Sequence, residues 1–131
     1  MVSLLVVCAS FELSGCARKS APVRLVAMRC MVEGPERVGR NTITCKLTAE
    51  DKIARTDEAL PVEGARVTLE GNMTHPGMSP AFGEAKETLP GSYTGTLDLN
   101  MRGDWVVTVH VSMQDGARLE QEIKVQNLQA S

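Results

Sequence analysis

The stretch GNMTHPGMSP combines residue types that can bind a soft metal ion. Met73, His75 and Met78 offer two thioethers and one imidazole in an M-x-H-x-x-M pattern. Thioether sulfur suits Cu(I), and imidazole suits copper in both of its common oxidation states. Pro76 and Gly77 can bend the chain so that the three side chains converge. The pattern predicts a Cu(I) site without a thiolate, which would hold the ion loosely enough to pass it on.

The same stretch has a second interpretation, in which it covers the end of a hydrophobic core. Methionine fills irregular gaps in cores, and proline and glycine serve turn geometry alone. A single Met-His-Met triplet has no strict signature, in contrast to paired C-x-x-C motifs. Met101 and Met113 are further candidates for sulfur ligands from neighbouring strand ends, but the sequence by itself does not place them. Convergence of the side chains at one end of the fold would favour the metal site over the plug.

Short strands must position this stretch, because from residue 22 onward apolar and polar residues alternate between turn-forming residues. The alternation predicts strands at 22–31, 41–47, 64–71, 82–89, 91–100, 103–112 and 117–126, of which 82–89 is a weak edge strand. The sequence therefore predicts an all-β fold, an immunoglobulin-like antiparallel β-sandwich of about seven strands over residues 22–127.

Individual side chains in these strands carry further expectations. Trp105 is expected to anchor the core, and Tyr93 to be a core residue whose hydroxyl finds a partner. His110 alternates with inward valines, so it is expected on the outer face. Residues 48–60 lack an apolar stripe and are predicted to be a connecting loop, while GNMTHPGMSP is predicted to cross between the third and fourth strands.

The first residues, MVSLLVVCASFELSGCARKS, have the pattern of an export signal. The apolar run is too short to span a bilayer and is followed by small residues. Its end, LSGC, resembles the lipobox of bacterial lipoproteins, in which the cysteine becomes the lipidated first residue. This predicts a signal segment at 1–15, a linker at 16–21 after lipidated Cys16, and a lipid-anchored protein on the extracytoplasmic face of the cell envelope. A buried N-terminal strand with a chance cysteine is the other interpretation.

Cysteine numbers agree with export. If Cys8 leaves with the signal and Cys16 carries lipid, Cys30 and Cys45 remain in the folded domain. An even remainder in an oxidising compartment suggests one disulfide. It would close a loop of about 15 residues and stabilise the fold by on the order of 3 kcal/mol. Two free buried thiols are the alternative, and a metal-binding pair is less favoured because no C-x-x-C spacing exists.

Composition excludes several classes of function. The chain has 131 residues, which suits one domain, and its 14 basic and 16 acidic residues give a net charge of −2. The absence of a basic block argues against a nucleic-acid partner, and the few aromatic residues argue against base stacking. The sequence contains no nucleophile elbow and no metal-hydrolase motif, so we do not expect an enzyme.

A family resemblance extends over residues 23–126. The segments VGRNTITCKL, PVEGARVTLEG and LPGSYTGTLDLNMRGDWVVTVHV, in this order around the Met/His/Pro/Gly loop, resemble the YtkA-like domain of small exported bacterial proteins, which is related to FixH-type proteins. The turn PGSYTG and the corner MRGDW are the most specific parts. In that family the loop often contains an MPxM-like sequence, so the position of His75 and the Cys30/Cys45 pair depart from the pattern.

The resemblance implies an immunoglobulin-like sandwich in the envelope, associated with copper handling or with assembly of copper-containing oxidases. A copper exporter or an oxidase-assembly protein would then be the partner. Two functions follow as hypotheses. The first is a lipid-anchored protein that binds or delivers copper through Met73, His75 and Met78. The second is a metal-free interaction or assembly module that presents a sheet edge or loop to an envelope partner.

Overall fold

The computed structural model describes residues 25–50 and 59–130, and within these ranges every regular element is a β-strand. The strands are β1 (Leu25–Glu33), β2 (Gly39–Glu50), β3 (Leu60–Pro61), β4 (Arg66–Met73), β5 (Ala81–Leu89), β6 (Ser92–Leu99), β7 (Gly103–Ser112) and β8 (Arg118–Leu128). All strand pairs are antiparallel. The prediction of an all-β antiparallel fold is confirmed. No helix in the described part of the chain is long and apolar enough to cross a membrane.

Alternation along the strands decides which side chains are buried. In β2, Ile43, Cys45 and Leu47 are fully buried, while the residues between them face outward. β7 repeats this arrangement with Trp105 and three valines, so the predicted core role of Trp105 is confirmed. Antiparallel strands with one solvated face produce this period of two, because successive side chains point to opposite faces. The core members are Cys30, Ile43, Cys45, Leu47, Val67, Leu69, Ala85, Tyr93, Leu97, Leu99, Trp105, Val107, Val109, Val111, Val125 and Leu128.

The strands form one hydrogen-bonded path in the order β1-β2-β6-β5-β4-β7-β8, with β3 paired to β2. The path curls until its two ends approach, which gives the sheet a nearly closed, barrel-like form. Val38 N donates to the Gln129 carbonyl over 2.8 Å and links the start of β2 to the end of β8. Beside this link the buried Asn41 amide donates to the carbonyls of Arg37 and Gly39 at 2.8 and 2.9 Å. This closure was not predicted from the sequence, since it depends on contacts between residues that are distant in the chain.

Two predictions about the strands were wrong. β5 is not an edge strand, because it pairs with both β4 and β6. Its polar sequence is compatible with this interior position because only Ala85 is buried in it and backbone pairing needs no apolar side chain. Residues 48–60 are not simply a loop, since β2 continues to Glu50 and β3 begins at Leu60. Ala49 maintains the inward phase of β2 and pairs with both Val26 and Leu60.

Gly95 allows β5 and β6 to approach closely. A β-carbon on Gly95 would lie 2.5 Å from the Glu84 carbonyl oxygen and 2.8 Å from the Ala85 Cα. Such distances require the backbone to move, so glycine is needed here for packing. The alignment of Ala85 with Gly95 therefore depends on the absence of a side chain.

Tyr93 fixes the segment between β3 and β4. Its side chain is buried, and its hydroxyl donates to the Val62 carbonyl at 2.8 Å and accepts from Ala65 N at 3.0 Å. The prediction of a core tyrosine with a partnered hydroxyl is confirmed. Burial is the main cause that raises the pKa of Tyr93, with the nearby Glu87 carboxylate adding to it.

The molecule has two poles, one at each end of the strands. The Met pole consists of the loop 74–80, between β4 and β5, and the turn 100–102, between β6 and β7. The opposite pole contains residues 62–65, the turn at 90–91 and the hairpin turn 113–117. In that hairpin turn Gly116 adopts a φ of 90° and donates to the Met113 carbonyl at 3.0 Å, as the Asp115-Gly116 turn signal predicts.

Candidate functional site

The loop of the Met pole joins two neighbouring strands of the sheet. Gly71 at the end of β4 pairs with Ala81 at the start of β5. The loop connects the third and fourth predicted strands, 64–71 and 82–89, as expected, and because these two strands pair with each other it is the connection of a β-hairpin. The physical reason is the interior position of β5, which brings it beside β4. A hairpin holds the two ends of the loop close together, so its side chains remain at one end of the fold.

Met73 lies at the base of this loop. It continues the inward phase of Val67, Leu69 and Gly71 and is half-buried against the core. A β-carbon on Gly103 would lie 3.2 Å from its methyl carbon Cε, so the thioether covers the start of β7. Met73 thus partly fills the role of a core plug.

His75 and Met78 lie further out in the loop. Both are exposed, with 38% of the Met78 surface accessible. Gly77 between them adopts a φ of 86°, a left-handed conformation that other residues disfavour. The three predicted ligands are therefore present at one pole, as one half-buried and two exposed groups. Among the residues that the structure describes, no cluster of three or more His, Cys, Asp or Glu side chains is arranged to hold a metal ion.

The two other methionines that the sequence left unplaced lie at opposite poles. Met101 is in the turn 100–102 of the Met pole and is 43% exposed. Its carbonyl accepts a hydrogen bond from Trp105 Nε1 at 3.0 Å. Met113 follows β7 at the other pole, and a strand of 10 residues separates the two. That strand is roughly 30 Å long, so Met113 cannot share a ligand with the Met pole.

Cys30 and Cys45 are the two cysteines for which the sequence suggested a disulfide. They are register partners in β1 and β2, with Cα atoms 4.1 Å apart, and they form a disulfide. Both are buried in the core. The proposed lipidation residue Cys16, the signal segment 1–15 and the linker 16–21 lie outside the described residues.

The side chains of His110, Glu70 and Glu120 form a polar cluster on the outer face of the sheet, away from the Met pole loop. His110 Nδ1 lies 2.9 Å from Glu120 Oε1, and His110 Nε2 lies 3.1 Å from Glu70 Oε2. The outward direction of His110 agrees with the sequence prediction, but its pairing with two carboxylates was missed. Only the strand register could have shown it, since Glu70 and Glu120 come from strands on either side of β7. These two contacts connect side chains of three neighbouring strands, β4, β7 and β8.

We expect Glu70→Gln to reduce stability at neutral pH and to have little effect in acid. The pKa of Glu70 is lowered first by the Asn72 side-chain hydrogen bond, at 2.9 Å, and then by His110. A carboxylate whose pKa is lower in the folded than in the unfolded state stabilises the fold above its unfolded pKa, and this stability is lost as pH falls through the folded pKa. Urea unfolding from about pH 7 to about pH 3 measures the difference between wild type and variant.

Glu122→Gln is the matched control, because Glu122 faces outward from the same strand as Glu120. The difference in the free energy of unfolding between wild type and Glu70→Gln should shrink toward zero as the pH falls. A difference that stays constant across the pH range would contradict the assigned role of the Glu70 carboxylate.

The chain resembles known proteins in its sequence and in its structure. A family model described as YtkA-like matches residues 26–110, a span that contains the whole hairpin of the Met pole loop and ends at His110. No curated protein matches the chain. A solved structure of murine CRIg is similar, with 14% sequence identity, a TM-score of 0.38, and coverage of 79% of this chain and 99% of that one.

Proposed function

This chain belongs to the YtkA-like family, and on that premise we propose that it is a lipid-anchored protein of the cell envelope that binds and delivers Cu(I) at the Met pole. One observation supports this most. Met73, His75 and Met78 lie in and at the base of one hairpin loop, and two of them are exposed to an incoming ion or partner. The proposal includes no catalytic step.

The donor set fits Cu(I) by its chemistry. Thioether sulfur is a poor ligand for hard cations and a good one for Cu(I), and the imidazole of His75 adds a nitrogen ligand. The set contains no thiolate, which would hold Cu(I) more tightly. In this proposal His75 and Met78 receive the ion from solution, and the half-buried Met73 contacts it from below. Weak soft ligands on an exposed loop favour transfer over storage.

The direction of the chain supports presentation of the Met pole to a partner. β1 begins at Leu25 at the opposite pole, where it pairs with Glu50 at the end of β2. A lipid on Cys16 would therefore tether the domain from the side away from the Met pole. The exposed loop would face the aqueous phase of the envelope. A copper exporter or an oxidase-assembly protein with an accessible acceptor site is the kind of partner that this orientation allows.

Titration with Cu(I) against a competing chelator tests the proposal. The titration uses the unprocessed chain, which is first alkylated because its Cys8 and Cys16 thiols, which export would remove or lipidate, would otherwise bind Cu(I) themselves. We expect the protein to withdraw about one equivalent of Cu(I) from the chelator, in line with a single site. A protein that withdraws none would rule out copper delivery by this loop.

A metal-free interaction module is the second candidate, and one surface feature favours it. Phe82 is 73% exposed on the outer face of β5, and a shallow surface depression there is also lined by Glu70 and His110. Exposed aromatic rings are frequent anchors of protein interfaces. This function would not need the metal ligands of the Met pole. A variant in which His75 and Met78 are both replaced should therefore still capture an envelope partner, and this result would distinguish an interaction module from copper delivery.

A further inference from the structure

The turn 100–102 places a fourth soft side chain at the Met pole. Met101 is 43% exposed there, whereas Met73 is half-buried. Its polarisable thioether is therefore accessible at the same pole as the exposed side chains of His75 and Met78.

The backbone of this turn is held in place by a core residue. Trp105 is buried, and its Nε1 donates to the Met101 carbonyl at 3.0 Å. The same tryptophan is the register partner of Met73 across β4 and β7. Thr74 N donates to the Asp104 carbonyl at 3.2 Å and continues that pairing into the loop. Trp105 therefore sets the position of the Met101 turn relative to the base of the His75/Met78 loop.

A contact between the two segments confirms that they are close. The methyl carbon of Met73 lies 3.2 Å from the position that a β-carbon on Gly103 would occupy. Gly103 directly follows the turn that contains Met101. The φ of 125° at Gly103 is a conformation that L-residues rarely adopt, so glycine is required where the turn meets β7. The Met73 thioether thus lies against the end of the Met101 turn.

We propose that Met101 is a further sulfur ligand of the Cu(I) site, so that one imidazole and three thioethers bind the ion at the Met pole. This inference rests on the proposed function and extends its ligand set to a second loop. Four soft or intermediate ligands satisfy Cu(I) without water, and they discriminate against Zn²⁺ and hard cations. Ligands from two separate loops would then hold the ion.

Met101→Leu tests the assignment, because leucine removes the sulfur and keeps nearly the same volume. Met113→Leu is the matched control at the opposite pole. In chelator competition with the alkylated protein we expect Met101→Leu to weaken Cu(I) affinity at least about tenfold. Met113→Leu should leave the affinity unchanged. X-ray absorption at the copper edge should count one sulfur fewer in Met101→Leu than in wild type.

A labelled-methyl spectrum provides a readout that needs no substitution. The methyl resonance of Met101 in the wild-type protein should shift when Cu(I) or Ag(I) is added, and that of Met113 should not. If wild type binds Cu(I) but Met101→Leu binds equally tightly and the Met101 methyl does not shift, the assignment of Met101 is overturned and the proposed function stands. If wild type binds no Cu(I), the proposed function fails and this assignment fails with it.

Discussion

Combined replacement of His75 by Ala and Met78 by Leu should abolish measurable Cu(I) binding while the fold stays intact. Both side chains are exposed in the loop of the Met pole, so their removal leaves no cavity in the core. Loss of two direct ligands should reduce affinity by at least about 100-fold, since even residues that only orient a ligand contribute 10–100-fold. Chelator competition gives the affinity, and thermal unfolding monitored by circular dichroism shows that the fold is retained.

A chemically matched control exists elsewhere in the chain. His110 is the other of the two histidines, and Met113 lies at the opposite pole. The double variant His110→Ala/Met113→Leu removes the same groups as the test variant without touching the Met pole. Equal loss of affinity in both double variants would indicate nonspecific binding, and full affinity in the His75/Met78 variant would exclude this loop as the site.

Loss of the Cys30–Cys45 disulfide should lower the free energy of unfolding by about 3 kcal/mol. The bond joins residues 15 apart in the chain, and it restricts the unfolded state by closing that loop. For a domain of this size the melting temperature should fall by on the order of 10 °C. Urea unfolding with and without a reductant measures the effect.

The double variant Cys30→Ala/Cys45→Ala is the control for the reductant. Its stability should be lower than that of oxidised wild type and should not change when reductant is added. Thiol labelling of the denatured, unprocessed chain should detect two of its four cysteines, which correspond to Cys8 and Cys16. Labelling of all four, or wild-type stability that does not respond to reductant, would contradict a disulfide in the isolated protein.

Local alternation was sufficient to predict most of the strands. The period of two in NTITCKL and in GDWVVTVHVS identified the buried faces of β2 and β7, and both are as predicted. Trp105 was expected to anchor the core and Tyr93 to be a core residue with a partnered hydroxyl, and both expectations are confirmed. The alternation that places these side chains inward lies within each strand, so one sequence contains that information.

Strand neighbours could not be predicted in the same way. β5 has a polar sequence, which suggested an edge, but its position is determined by backbone pairing on both sides. His110 was expected to face outward, and its contacts with Glu70 and Glu120 became visible only in the register of β4, β7 and β8. Pairing of distant segments leaves little trace in local composition, which explains these errors and omissions.

In the candidate site, too, the sequence predicted local features and the tertiary structure decided how distant segments are arranged. The sequence by itself determined that Met73, His75 and Met78 share one irregular segment, that the chain is all-β, and that its family is YtkA-like. The tertiary structure alone decided that this segment is a hairpin loop, that Met73 is half-buried, and that Met101 lies at the same pole while Met113 does not. Side-chain chemistry is a property of each residue and can be read from the sequence. The end of the sheet at which a turn lies depends on the order of the strands. Hydrogen bonds between residues far apart in the chain determine that order.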